Sequence, residues 1–89
     1  MNDWFVYIVR SEKTDQLYTG VTVDLQRRVH EHNHSKRGSK WTRYNRPVKL
    51  VWWTGAKSRA EAQRIEYSIR KRTRAEKLLM IEEGQCSTG

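Results

Sequence analysis

The sequence has a single cysteine, Cys86, and it stands within the last few residues. A lone thiol closes no internal disulfide, so a disulfide scaffold is excluded and a reducing, cytoplasmic setting is expected. No apolar run approaches a membrane span, and no basic-then-apolar leader opens the chain, so no membrane partner is expected. Apolar residues fill only 36% of 89 positions, enough for one small core. A deep enclosed pocket for a large organic cofactor is therefore not expected. Any active site should be a shallow cleft whose ligand supplies part of the wall. A glycine-rich phosphate loop, a serine nucleophile elbow, an HExxH zinc motif and a cluster of carboxylates are all missing. Acidic residues are also scarce: 10 Asp+Glu stand against 18 Lys+Arg, a formal charge of +8.

That surplus points to a polyanionic partner. Each Lys or Arg that neutralises a phosphate releases counterions, whatever the base sequence. The charge is uneven: residues 1–23 carry a net −1, residues 24–49 a net +6 and residues 50–89 a net +3. Trp, Tyr, Val and Leu are interleaved with the basic residues, where a disordered basic arm would be of low complexity. A folded basic face is expected.

Residues 4–10 are β-branched and aromatic and read as a strand buried on both faces at its centre. Residues 17–22 read as a second strand, joined to the first by a short polar hairpin, which makes the pair antiparallel. Asp24 can cap a helix over residues 25–34 with an apolar stripe of Leu25 and Val29. Residues 35–47 read as a loop and residues 48–54 as a third strand. Ser58 with Glu61, and Thr73 with Glu76, each form a capping box and predict helices from 58 to about 71 and from 73 to about 83. The expected fold is α+β: a small three-stranded antiparallel sheet flanked by helices, in the order β-β-α-β-α-α. One domain over residues 1–83 and a disordered polar tail over 84–89 are expected.

Three constellations could carry chemistry. Tyr7 and Tyr18 fall on the two hairpin strands and can share a face; they suit a core pair, or a catalytic phenol if a cation lowers its pKa from about 10. Arg28 and His32 lie i and i+4 on the first helix, on the stripe begun by Leu25. A sheet-facing Arg needs a partner, either a structural carboxylate or a substrate phosphate. Glu66 joins Ala62, Ile65 and Ile69 on one stripe of the next helix. An inward carboxylate in so basic a chain serves as a salt-bridge partner or holds a hard cation such as Mg2+. His30 and His34 share a second face of the first helix, with no Cys beside them to suggest zinc.

In order and spacing these residues resemble the GIY-YIG nuclease domain. Phe5-Val6-Tyr7 stands for the first motif and Tyr18-Thr19-Gly20 for the second. The first keeps only its Tyr and the second has Thr for Ile, both changes compatible with a strand. Arg28, ten residues after Tyr18, matches the catalytic Arg, which Arg27 does not. His32 matches a position often occupied by His, and Glu66 matches the metal-ligand Glu. The likeness spans about residues 4–83 and is greatest to a short, stand-alone subfamily. That subfamily's Gly-x-Lys-x-Thr-Arg segment reads here as Gly38-Ser39-Lys40-Trp41-Thr42-Arg43, before Arg46-Pro47-Val48.

The resemblance implies a metal-dependent endonuclease acting on DNA, linked to repair or recombination. Branched and single-stranded forms are both candidates, and RNA is left open. Glu66 would hold one Mg2+ or Mn2+ ion, Tyr7 or Tyr18 would help deprotonate a water, Arg28 would stabilise the charged transition state, and His32 would assist. Lys36, Arg37, Lys40, Arg43 and Arg46 would hold the backbone, with Trp41 or Tyr44 free to stack on an unpaired base. Family enzymes usually join this module to a separate DNA-binding domain, for which 89 residues leave no room. Two alternatives follow: a nucleic-acid-binding module of the same fold without useful catalysis, and a basic adaptor that docks an acidic protein; for the nuclease itself, a protein partner could supply the specificity.

Overall fold

The computed structural model describes residues 3–34 and 40–84. The chain forms β1 (Trp4–Ser11), β2 (Leu17–Thr22), α1 (Leu25–His34), α2 (Lys40–Asn45), β3 (Val48–Ala56), α3 (Arg59–Arg70) and α4 (Arg74–Gly84). The sheet has the strand order β2-β1-β3, and both pairings are antiparallel. The central strand is the one read as buried on both faces, and Val6, Tyr7, Ile8 and Val9 are indeed all buried.

Alternation along β1 divides the core in two. Val6 and Ile8 pack with Ala56 and with Ala62, Ile69 and Ile81 of α3 and α4. Tyr7 and Val9 face the opposite way and pack with Val48, Tyr18, Leu25, Val29, Trp41 and Leu50. The sheet is thus covered by α3 and α4 on one side and by α1 and α2 on the other. This follows from the period-2 geometry of a strand with apolar residues at successive positions.

The N-caps form as the sequence predicts, except that the Ser58 box does not close on itself: Glu61 Oε1 accepts from the Lys57 amide at 2.9 Å. Asp24 Oδ1 accepts from the Arg27 amide at 3.1 Å, and Ser58 Oγ from the Glu61 amide at 3.1 Å. Thr73 and Glu76 make both bonds of a capping box, at 3.2 and 2.8 Å. At the far end of α4, Gly84 lies against the indole of Trp52, where a Cβ would overlap the ring. So the last helix runs into the first residue of the polar tail; residues 85–89, Cys86 among them, lie outside the described residues.

One element differs from expectation. Part of the loop read over residues 35–47 is helical, and the order becomes β-β-α-α-β-α-α. A six-residue helix rich in Trp, Thr and Tyr has little intrinsic stability. Within the helix Asn45 Nδ2 donates to the Trp41 carbonyl at 2.8 Å, and tertiary contacts supply the rest: Thr14 Oγ1 donates to Asn45 Oδ1 at 2.6 Å, and Ser11 Oγ donates to the Asn45 carbonyl at 2.6 Å. These bonds tie the hairpin turn to the end of α2. Asn33 exchanges two bonds with the backbone of Val48, at 3.0 and 2.7 Å, and so fixes α1 against the start of β3.

Candidate active site

Tyr7 and Tyr18 share the face of the sheet covered by α1 and α2. Tyr18 lies opposite Val9, and Tyr7 lies opposite Gly20. The glycine is required by the phenol: a Cβ at position 20 would come within 2.6 Å of Tyr7 Cζ. The ring therefore lies across the bare backbone of β2, a close approach that only glycine permits.

The phenol meets two residues of α1. Tyr7 Oη is 2.7 Å from His32 Nε2, and the Arg28 guanidinium also hydrogen-bonds it. His32 Nδ1 is 3.1 Å from Thr42 Oγ1 on α2. These contacts fix the protons. Arg28 has only donors, so Tyr7 Oη accepts from it. The buried phenol hydrogen then needs an acceptor, and His32 Nε2 supplies one. Nδ1 therefore carries the imidazole proton and donates it to Thr42 Oγ1.

Charge states agree with this order. Burial pushes the Tyr7 phenol up to about 12, although Arg28 pulls the other way. Burial, with the adjacent Arg28 charge, takes His32 down to about 4. At neutral pH the pair is a neutral phenol donating to a neutral imidazole. Arg28 is also held by Glu31 at 3.1 Å, and Arg27 by the same carboxylate at 3.3 Å. Arg28 thus has one of the partners that the sequence left as alternatives, a structural carboxylate, and it also contacts the Tyr7 phenol.

The His32 shift makes stability depend on pH. The folded chain keeps His32 neutral until about pH 4, whereas a free imidazole takes its proton near 6.5. Between those values the unfolded chain binds more protons, so stability falls as the pH drops. The expected loss attributable to His32 is on the order of 2 to 3 kcal/mol. Thermal melting from pH 7 down to pH 5, on wild type and His32→Gln, measures it. The wild type should lose melting temperature over this window and the variant should lose much less; equal slopes would contradict the assignment.

Glu66 approaches from α3. Its side chain is 21% exposed and loosely paired with Arg70 at 3.6 Å, and its charge is among those that raise the Tyr7 phenol. Its chemistry fits a hard divalent ion: one oxygen donor from the protein, with water and substrate oxygens completing the shell. Among the described residues no group of three His, Cys, Asp or Glu side chains is arranged to hold a metal by itself.

The remaining predicted residues are spread around this centre. Trp41 is half-buried, stacks on Tyr18 with ring centroids 5.3 Å apart, and donates to Gln16 at 3.3 Å. Arg46 donates to the Asn33 carbonyl at 3.0 Å and so holds the fold together. Lys40, Arg43 and Tyr44 are exposed, Tyr44 to 70%. Lys36 and Arg37 lie outside the described residues. Thr42 stands in the motif over residues 38–43, and nothing in the sequence marks it for a role. Its role as the anchor of His32 is visible only once α2 folds back over α1.

A buried tyrosine, a Tyr-x-Gly on the neighbouring strand, an Arg and His on the next helix and a lone Glu on the following one define a catalytic domain of the GIY-YIG type. The GIY-YIG catalytic domain family matches residues 3–79, and the chain belongs to that family. Within it, its relatives include UPF0213 proteins. A UPF0213 protein of Desulfotalea psychrophila is 40% identical over 79 residues, covering 89% of this chain and 71% of the relative. UPF0213 protein YazA of Bacillus subtilis is 42% identical over 86 residues, covering 97% and 85%. The solution NMR structure of the UPF0213 protein BH0048 from Bacillus halodurans superposes with a TM-score of 0.56 at 35% identity, covering 92% of this chain and 84% of that one. No helix among the described residues is long and apolar enough to cross a membrane.

Proposed function

We propose that the chain is a divalent-metal-dependent endonuclease that hydrolyses phosphodiester bonds in DNA. The observation that carries this reading is the Arg28–Tyr7–His32–Thr42 chain of hydrogen bonds, with the Glu66 charge in range of the same phenol. At rest the proton stays on Tyr7. A substrate phosphate beside Arg28 offsets the guanidinium charge, one of the two causes that hold His32 low. The imidazole then becomes a better base at the moment the substrate is in place. Tyr7 Oη can take a proton from the attacking water as it passes its own to His32 Nε2. Arg28 stabilises the charge that builds on the phosphate. Mg2+ or Mn2+ held by Glu66 would supply neutralisation of the phosphate and leaving-group oxygens.

A panel of plasmid, flap, branched and single-stranded DNA with Mg2+ or Mn2+ tests the reading. Wild type should cleave at least one substrate, and Arg28→Ala should lower that rate by about 10²- to 10³-fold, as for loss of an oxyanion donor. No cleavage across the panel, or equal cleavage by the variant, would overturn it.

One observation favours a second reading, a binding module without useful catalysis. A phenol raised to about 12 is a poor base on its own. That reading predicts salt-sensitive binding that is indifferent to divalent metal, and the same panel separates the two.

A further inference from the structure

Among the described residues, the packed cluster on the sheet face that carries Tyr7 gathers at one end. Leu25, Val29, Trp41 and Leu50 close over Val9 and Val48. Phe5, two residues before Tyr7, and Trp53, directly opposite Tyr7 on β3, lie outside that packed cluster. Their rings meet edge to face with centroids 5.9 Å apart, and Trp53 is 40% exposed.

A break in the pleat puts Trp53 there. In a regular strand Leu50 and Trp53, three apart, would point to opposite faces. The β1–β3 register slips between Ile8 and Val9, so that Ile8 pairs with Trp52 and Val9 with Leu50. Val51 is the extra residue of this β-bulge. The slip leaves Leu50 in the core under α1 and turns Trp53 onto the side of Tyr7, while Trp52 packs in the opposite layer. Bulges beside active sites re-aim side chains in this way.

We propose that Trp53, braced by Phe5, is the stacking platform for an unpaired base next to the phosphate bound at Tyr7 and Arg28. The inference rests on the nuclease reading and names the substrate form: DNA with an unpaired nucleotide at the cut site. The Arg28 guanidinium at the phenol and the formal charge of +8 select a polyanionic occupant. Thr22 lies opposite Phe5 on β2, and it lines a shallow cleft with Asp24, Arg27, Arg28 and Glu31, where Glu31 pairs with both arginines. A flat aromatic surface and the Arg28 guanidinium thus flank the same phenol. An unpaired nucleotide offers both complements, a free base face and an anion, whereas a duplex hides its base faces in the stack. Trp41, the other indole on this face, already stacks on Tyr18.

The test is binding in EDTA, read by anisotropy of two labelled strands of about 12 nucleotides. One is oligothymidylate; the other is an abasic backbone with the same number of phosphates. Wild type should bind the thymidylate about tenfold more tightly than the abasic strand. Trp53→Leu should erase that preference while leaving the abasic affinity and the melting temperature near wild type. Trp53→Phe should keep most of it, and Tyr67→Leu, at an exposed tyrosine of α3, should keep it all. Lack of preference in wild type, an unchanged preference in Trp53→Leu, or its loss in Tyr67→Leu would overturn the platform alone. Failure of wild type to bind either strand would overturn it together with the nuclease reading.

Discussion

Tyr7→Phe should slow phosphodiester cleavage by about 10²- to 10⁴-fold, the range for loss of a general acid–base group, whereas Tyr18→Phe should cost less than about tenfold. Both tyrosines stand in the motifs, and the sequence gives no ground for choosing between them. Their surroundings do. Tyr7 contributes its oxygen, placed between His32 and Arg28. Tyr18 contributes its ring, with an edge on His32 at 5.6 Å and a face on Trp41. Phenylalanine at position 7 keeps the packing and removes only the proton path. It also leaves His32 Nε2 buried without a donor, a cost of about 1 to 3 kcal/mol, so rates should be compared well below the melt. Single-turnover kinetics on one substrate make the measurement. Equal losses in the two variants would mean that the hydroxyl of Tyr7 has no special part.

Gly20→Ala should be nearly as damaging without removing any functional group. The new methyl would fall within 2.6 Å of Tyr7 Cζ. Tyr7 is 1% exposed and held by hydrogen bonds at its tip, so it cannot swing aside as a surface side chain would. Overpacking of this kind costs about 1 to 3 kcal/mol, or about 5 to 20 °C in melting temperature for a domain of this size. Any relief must come from moving the phenol, which breaks its alignment with His32. Stability and cleavage should therefore fall together. A variant with wild-type melting and wild-type cleavage would show that the close approach has no consequence.

Much of this arrangement is written in local patterns. The strand 4–10, the antiparallel hairpin and the helix over 25–34 follow from residue type and caps alone. Arg28 and His32 are separated from their neighbours by helical spacing, and Glu66 is picked out by the stripe of Ala62, Ile65 and Ile69. What local patterns miss is tertiary. The short helix α2 depends on Asn45, whose partners Ser11 and Thr14 lie far off in sequence. Thr42 acquires its partner only through that helix, and Arg46, read as a backbone contact, is taken up by Asn33. The bulge at Val51 is likewise invisible to a period-2 reading, which would put Trp53 on the face opposite Leu50. The surplus of positive charge begins at the helix that carries Arg28, but Glu31 already engages Arg27 and Arg28, so a phosphate must compete with it there.

On the proposed mechanism, hydrolysis depends on the Glu66 carboxylate acting with Tyr7, Arg28 and His32. The most direct test of that dependence is single-turnover cleavage of a DNA substrate in Mg2+ by wild type and Glu66→Ala, with folding of both checked by thermal melting. Wild type should cleave the substrate and stop in EDTA, and the variant should lose about 10³-fold or more while it still folds and still binds DNA. Metal-dependent cleavage by Glu66→Ala at the wild-type rate would contradict that mechanism.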